Sequence, residues 1–190
     1  LRSLITALLA GGLLAGCAST PPALLPGRDQ IRDFALDARF ALRVNTPDQA
    51  GQSAGGRLAW EHRADNDHLL LSSPLGYGVA EIDFTPTSAR LHTADGEPQE
   101  STDPDDLVER VTGQRLPVSR LPAWLLGRSG GAAQISNDAR QRPARLMEAG
   151  WQIDYAYDSE SAQALPARLT LKYQGEIELR LRIEDWRVIP

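Results

Sequence analysis

Near the C-terminal end of the chain, Ile177, Leu179, Leu181 and Ile183 occupy every second position, and Glu178, Arg180, Arg182 and Glu184 occupy the positions following them. Only an extended strand places residues i, i+2 and i+4 on one face, so this stretch must bury one side and wet the other. The period recurs in Phe34, Leu36, Ala38, Phe40, Leu42 and Val44, in Leu58 and Trp60, and in Leu69-Leu70-Leu71. It returns in Ala80, Ile82 and Phe84, in Trp151, Ile153, Tyr155 and Tyr157, and in Leu169, Leu171 and Tyr173. Strands with one apolar face predict an antiparallel sheet, the kind that tolerates solvent on one side. Gln174-Gly175 supplies a two-residue hairpin between the last two strands.

Two short helices interrupt this pattern. Residues 103–113 carry Asp103 as an N-cap, Pro104 in the first turn, Asp105 and Asp106 near the positive helix end, and Gly113 as a stop. Residues 119–126, closed by Gly127 and carrying Trp124, form the second candidate. The expected fold is mainly β with short helices (α+β), a curved sheet whose concave face the helices cover and where an apolar pocket can form. Periodicity alone fits a filled core equally well.

Composition narrows the function classes. A chain of 190 residues with 42% apolar and 24% charged residues and a net charge of −5 is close to the globular average. That excludes a disordered chain, a polybasic nucleic-acid binder and a multi-span membrane protein. The single Cys excludes an internal disulfide framework and a Cys-ligated zinc site.

That one Cys follows a distinctive N-terminus. After Arg2, residues 3–16 carry no charge and end in small residues, too short a run for a spanning helix and fitting for a signal peptide over 1–16. Leu14-Ala15-Gly16-Cys17 is similar to the bacterial lipobox, in which the Cys thiol receives a diacylglycerol. Lipidation is therefore expected at Cys17. Ala18 follows it rather than the Asp that marks inner-membrane retention, which favours the outer membrane. Residues 17–30 include a Pro-rich stretch and read as the lipidated N-terminus and tether, leaving 31–190 as a single folded domain.

Catalytic signatures fail on context. Gly51-Gln52-Ser53-Ala54-Gly55 matches G-x-S-x-G, yet Thr46-Pro47-Asp48-Gln49 precedes it where a strand is required. A hairpin loop is expected there; the alternative is an esterase using Ser53. His62, His68 and His92 lack metal-ligand spacing and are expected to be exposed strand residues. No P-loop or dinucleotide fingerprint is present, so no cofactor is expected. Ser73-Pro74-Leu75-Gly76-Tyr77-Gly78 joins two strands by a turn that would carry Leu75 and Tyr77 outward.

The order of these pieces carries a resemblance. The lipobox, Ser73-Pro74-Leu75-Gly76, Leu107-Val108-Glu109-Arg110-Val111-Thr112-Gly113, Leu116-Pro117-Val118 and Leu121-Pro122-Ala123-Trp124-Leu125-Leu126-Gly127 come first. Gly150-Trp151-Gln152-Ile153-Asp154-Tyr155, Leu165-Pro166-Ala167-Arg168-Leu169 and Ile183-Glu184-Asp185-Trp186 complete the set. It resembles the LolB family of outer-membrane lipoprotein receptors of Gram-negative bacteria. The resemblance implies an incomplete antiparallel β-barrel with a helical lid over a hydrophobic cavity. It also implies a monomer, anchored in the outer membrane and facing the periplasm, that takes acylated lipoproteins from a LolA-like periplasmic carrier. The cargo would then be placed in the inner leaflet of the outer membrane, among its phospholipids, with Leu75 matching the protruding Leu needed for insertion. Under that reading the cavity is expected to be lined from Phe40, Leu42, Trp60, Ile82, Phe84, Trp124, Trp151, Ile153, Leu169 and Leu171. A purely structural envelope lipoprotein is the second alternative; no nucleic acid is expected as a partner.

Overall fold

A computed structural model of the chain describes residues 27–45, 51–94, 96–112 and 114–189. The signal, the lipobox and Cys17 lie outside the described residues. A 3-10 turn at Arg28–Gln30 opens the body, and Arg128 Nη2 donates to the carbonyls of Arg28 and Ile31 at 2.7 and 2.5 Å. Residues 28–30, assigned by sequence to the tether, are thus held against the domain.

Eleven strands follow as one antiparallel sheet. They are β1 Asp33–Val44, β2 Gln52–Arg63, β3 Asn66–Ser72, β4 Gly78–Thr85, β5 Ser88–Thr93 and β6 Gln99–Ser101, then β7 Gln134–Asn137, β8 Pro143–Glu148, β9 Trp151–Ala156, β10 Arg168–Tyr173 and β11 Ile177–Ile189. The spatial order is β6-β5-β4-β3-β2-β1-β11-β10-β9-β8-β7, so the first and last strands meet at the centre. Neighbours are joined by hairpins wherever chain order allows, and the order ends at β6 and β7 without closing. This is an open sheet, an incomplete barrel.

The alternation decides which face is inside. Along β11, Ile177, Leu179, Leu181 and Ile183 are buried while Arg180, Arg182 and Glu184 are exposed. β1 does the same with Phe34, Leu36, Ala38, Leu42 and Val44, and a register shift at Asp37/Ala38 against β11 leaves the inward set in phase. Between the sheet halves lie α1 Pro104–Thr112 and α2 Leu121–Leu125. Asp103 caps the first, its Oδ1 accepting from Asp105 N at 2.9 Å and its carbonyl from Leu107 N at 3.1 Å. α1 packs on β5 and β6. The second helix belongs to the other half of the sheet: Trp124 Nε1 donates to the buried Glu148 of β8 at 2.8 Å, and Tyr155 Oη of β9 donates to the Trp124 carbonyl at 2.9 Å.

Two expectations are corrected here. Ser53 is not in a loop, since β2 begins at Gln52 and Ser53 pairs with Arg43. His62 is not exposed: its ring centroid lies 5.1 Å from that of Phe34 and its Nδ1 is 2.9 Å from the buried Asp67. The buried core runs from Ile31 to Ile183, and every described strand lies between residues 33 and 189. That span carries the whole described core and sheet, which is the ground for expecting it to fold without the residues before it.

Candidate functional site: an apolar cavity beside an exposed loop

The two halves of the inner face are filled differently. Under α2, Trp124 and Trp151 stand 6.2 Å apart by ring centroid and Trp151 and Tyr173 5.1 Å apart, so large rings occupy the space. Under α1 the facing side chains leave a cavity of about 270 Å³ whose wall carries no exposed polar atom. Phe40 and Leu42 of β1, Leu58 and Trp60 of β2, Leu69 and Leu71 of β3, Ala80 and Ile82 of β4, and Leu179 and Leu181 of β11 form its floor. Leu107 and Val108 of α1, with Leu116, Val118 and Leu121 after it, form the roof.

Trp60 shows how this wall is kept apolar. Its indole N–H would cost about 1–3 kcal/mol if buried without a partner. Asp67, itself buried, accepts that hydrogen at 2.6 Å, leaving the ring for the cavity.

The roof is held from outside by charge. Arg115 reaches Asp103 at 2.6 Å and Glu109 at 3.3 Å, Arg110 reaches Asp106 at 2.6 Å, and Ser119 Oγ donates to Asp105 at 3.1 Å. Arg115 holds the Asp103 carboxyl below the usual carboxylate range, and Arg110, with the Ser101 hydroxyl, does the same for Asp106. These exposed pairs order the roof segment at little net gain in stability.

The loop between β3 and β4 adjoins this cavity. Gly76 N donates to the Ser73 carbonyl at 2.8 Å, closing a turn with Pro74 and Leu75 at its corner, and Ser73 N donates to the Tyr77 carbonyl at 2.8 Å. Gly76 takes a φ of +91°, a conformation that a side chain would resist. Leu75 is 85% exposed and Tyr77 73%. Val79, two residues on and half exposed, lines the cavity, so the loop and the cavity share a rim.

Of the ten residues expected at the cavity, Phe40, Leu42, Trp60 and Ile82 are there. Phe84, Trp124, Trp151, Ile153, Leu169 and Leu171 are in the packed core instead and are not among the residues that line it. The roof residues were missed by sequence, although Leu107 and Val108, set between Asp105-Asp106 and Glu109-Arg110, were the signal available.

Among the described residues nothing resembles a hydrolase site. Ser53 is exposed on the outer face of β2, and among the described residues its hydroxyl has no histidine partner. Among the described residues the nearest approach to a metal cluster, His68 with Glu81 and Asp83, is about half exposed and is occupied by a cross-strand contact of 2.7 Å between His68 Nδ1 and Asp83.

Comparison with known proteins decides the family. The family model described as outer membrane lipoprotein LolB matches residues 32–186, nearly all of the sheet and both helices. The chain belongs to the LolB family. It is 63% identical over 190 residues, the whole of both chains, to the outer-membrane lipoprotein LolB of Dechloromonas aromatica. It is 33% identical to the LolB of Azoarcus sp. strain BH72, over 96% of this chain and 94% of that one. Among solved structures, the LolA superfamily protein NE2245 from Nitrosomonas europaea superposes with a TM-score of 0.50 at 14% identity, covering 86% of this chain and 90% of that one, which shows a shared fold. A LolB-family chain is an outer-membrane lipoprotein and a receptor in lipoprotein localization. It is not an enzyme, and the esterase alternative is overturned.

Proposed function

We propose that the cavity under α1 receives the acyl chains of lipoproteins handed over by a LolA-like periplasmic carrier, and that the Leu75 loop directs them into the inner leaflet of the outer membrane. The observation that carries this reading is a cavity with a wholly apolar wall opening beside an 85% exposed Leu. Each acyl methylene contributes about 0.8 kcal/mol when buried, so one chain passing through water would cost on the order of 10 kcal/mol. Carrier and receptor must therefore dock mouth to mouth. With no nucleotide-binding motif in the sequence, net movement requires the receptor to hold the chains more tightly than the carrier does, and the bilayer more tightly still.

The cavity is small for this task. Pockets for drug-sized ligands span about 300–1,000 Å³, whereas this one holds about 270 Å³. Cargo with two or three chains requires it to widen, and α1 with residues 114–120 is the part that moves. α2 is fixed to β8 and β9 through Trp124. The deciding experiment mixes residues 27–190 with a carrier loaded with acylated lipoprotein and follows the cargo by gel filtration. Cargo is expected to move to the receptor; cargo that stays with the carrier, next to a folded receptor, refutes the reading.

Cys17 carries the anchor in this proposal, and two or three acyl chains there would hold the protein on the membrane without spanning it. Cys17→Ser is expected to remove the lipid mass from the N-terminus and to deplete the protein from the outer-membrane fraction, with the fold unchanged by circular dichroism. An unmodified Cys17 in membrane-bound wild-type protein, read by mass spectrometry, would contradict it.

A further inference from the structure

The outer face of the sheet carries a row of arginines. Arg57 of β2 lies directly opposite Arg39 of β1, Arg39 opposite Arg182 of β11, and Arg182 opposite Arg168 of β10. All four are exposed and stand on the side away from the core, because their strand neighbours Leu58, Ala38, Leu181 and Leu169 are buried. Adjacent strands are about 4.8 Å apart, so the row spans about 15 Å.

Like charges directly opposite one another destabilise a sheet. One row nearer the chain entry, the same problem is solved internally: Asp37 faces Asp185, and Arg187 bridges both at 2.6 and 2.7 Å. The arginine row is only half neutralised. Arg39 pairs with Glu184 at 2.6 Å and Arg168 with Asp158 at 2.9 Å, while among the described residues Arg57 and Arg182 pair with no carboxylate. In a chain of net charge −5, four clustered cations with two of them unmatched form a local surface of opposite sign.

Position says what this surface meets. Arg57 pairs on its other side with Ser72, the last residue of β3, and Ser72 leads into the turn that exposes Leu75 and Tyr77. Leu70, 39% exposed, lies two residues before Ser72 on that strand. Basic side chains continuous with exposed Leu and Tyr are the chemistry of a bilayer interface, where apolar groups enter the acyl region, aromatic rings sit at its edge and cations meet phosphate.

We propose that the row Arg57-Arg39-Arg182-Arg168 binds the anionic headgroups of the phospholipid bilayer and sets the orientation in which the Leu75 loop approaches it. The proposal rests on the membrane role of that loop, and its test separates the two.

Residues 27–190, which contain the whole core and lack the anchor, are sedimented with vesicles of phosphatidylcholine alone or with one-third phosphatidylglycerol. Wild type is expected to prefer the anionic vesicles at low salt and to lose that preference in 0.5 M NaCl, where screening shortens to a few ångströms. Arg57→Ala with Arg182→Ala breaks no ion pair seen among the described residues. At about fivefold per arginine, the double variant is expected to lose about 25-fold in affinity for the anionic vesicles and nothing for the neutral ones. Leu75→Asn, which removes the apolar tip without adding charge, is expected to weaken binding to both vesicle types while keeping the preference. If Leu75→Asn has no effect and the arginine pair does, the loop reading fails and the arginine proposal stands. A double variant with wild-type vesicle binding overturns the proposal, including when it impairs cargo transfer from the carrier, because the row would then engage an acidic protein surface. A wild-type domain without preference for anionic vesicles overturns it as well.

Discussion

Leu75→Glu is expected to slow cargo release into liposomes about tenfold to a hundredfold while leaving cargo uptake from the carrier close to wild type. The side chain is 85% exposed at the corner of a turn closed by Ser73 and Gly76, so it makes no core contact whose loss could unfold the domain. Burying a Leu in the lipid interface contributes about 1.5–3 kcal/mol, and each 1.4 kcal/mol changes a population tenfold. A carboxylate at the same place resists leaving water and removes that contribution entirely. Leu75→Ile should retain most of the activity, since the requirement is for an apolar tip. The assay is flotation of liposomes after mixing with the loaded receptor. Release at the wild-type rate from Leu75→Glu would show that the loop has no part in insertion, and a fall in thermal stability would show that Leu75 is held in the body of the protein.

The strands that alternate cleanly were legible because period-2 patterning arises wherever one face is buried: β1, β4, β9, β10 and β11 follow the sequence directly. α1 was legible from its Asp103 cap and Pro104. β7 was not, since Gln134–Asn137 is exposed at all four positions and, as an edge strand, is held by pairing with β8 alone. Ser53 misled for a related reason: Gln52, Gly55 and Gly56 look like loop composition, and the strand there is imposed by β1, whose Leu42 and Phe40 pair with Ala54 and Gly56. Gly56 is required by that packing, because a Cβ would meet the Ser72 carbonyl at 2.2 Å.

The cavity was legible only as a face. Periodicity says that Trp60 and Trp151 both point inward, and both do. It cannot say that Trp151 meets Trp124 and Tyr173 and fills its half, while Trp60 meets Phe84 at 6.4 Å and leaves room beside it. The difference arises from which helix covers which half, a long-range fact that no local pattern contains.

That division makes a single substitution decisive. Ala54→Trp is expected to lower the affinity for a fluorescent fatty acid about fiftyfold or more, with the fold intact. Ala54 is exposed, lines the cavity and pairs with Leu42 on the inward side of β2, so an indole there occupies acyl space without displacing a buried neighbour. An aromatic residue also suits a strand. Shutting out three methylenes removes about 2.4 kcal/mol at about 0.8 kcal/mol each, which is close to fiftyfold. The control is one residue away: Ser53→Trp adds the same ring to the outer face, because successive strand residues point to opposite sides. It is expected to leave fatty-acid affinity unchanged. Equal effects from the two variants would mean that the probe reports on stability or on general hydrophobicity. An unaltered affinity in folded Ala54→Trp would move the acyl site away from this cavity. A wild-type domain that binds no acyl probe at all would leave an envelope lipoprotein with a filled core, the one alternative that the alternation by itself could not exclude.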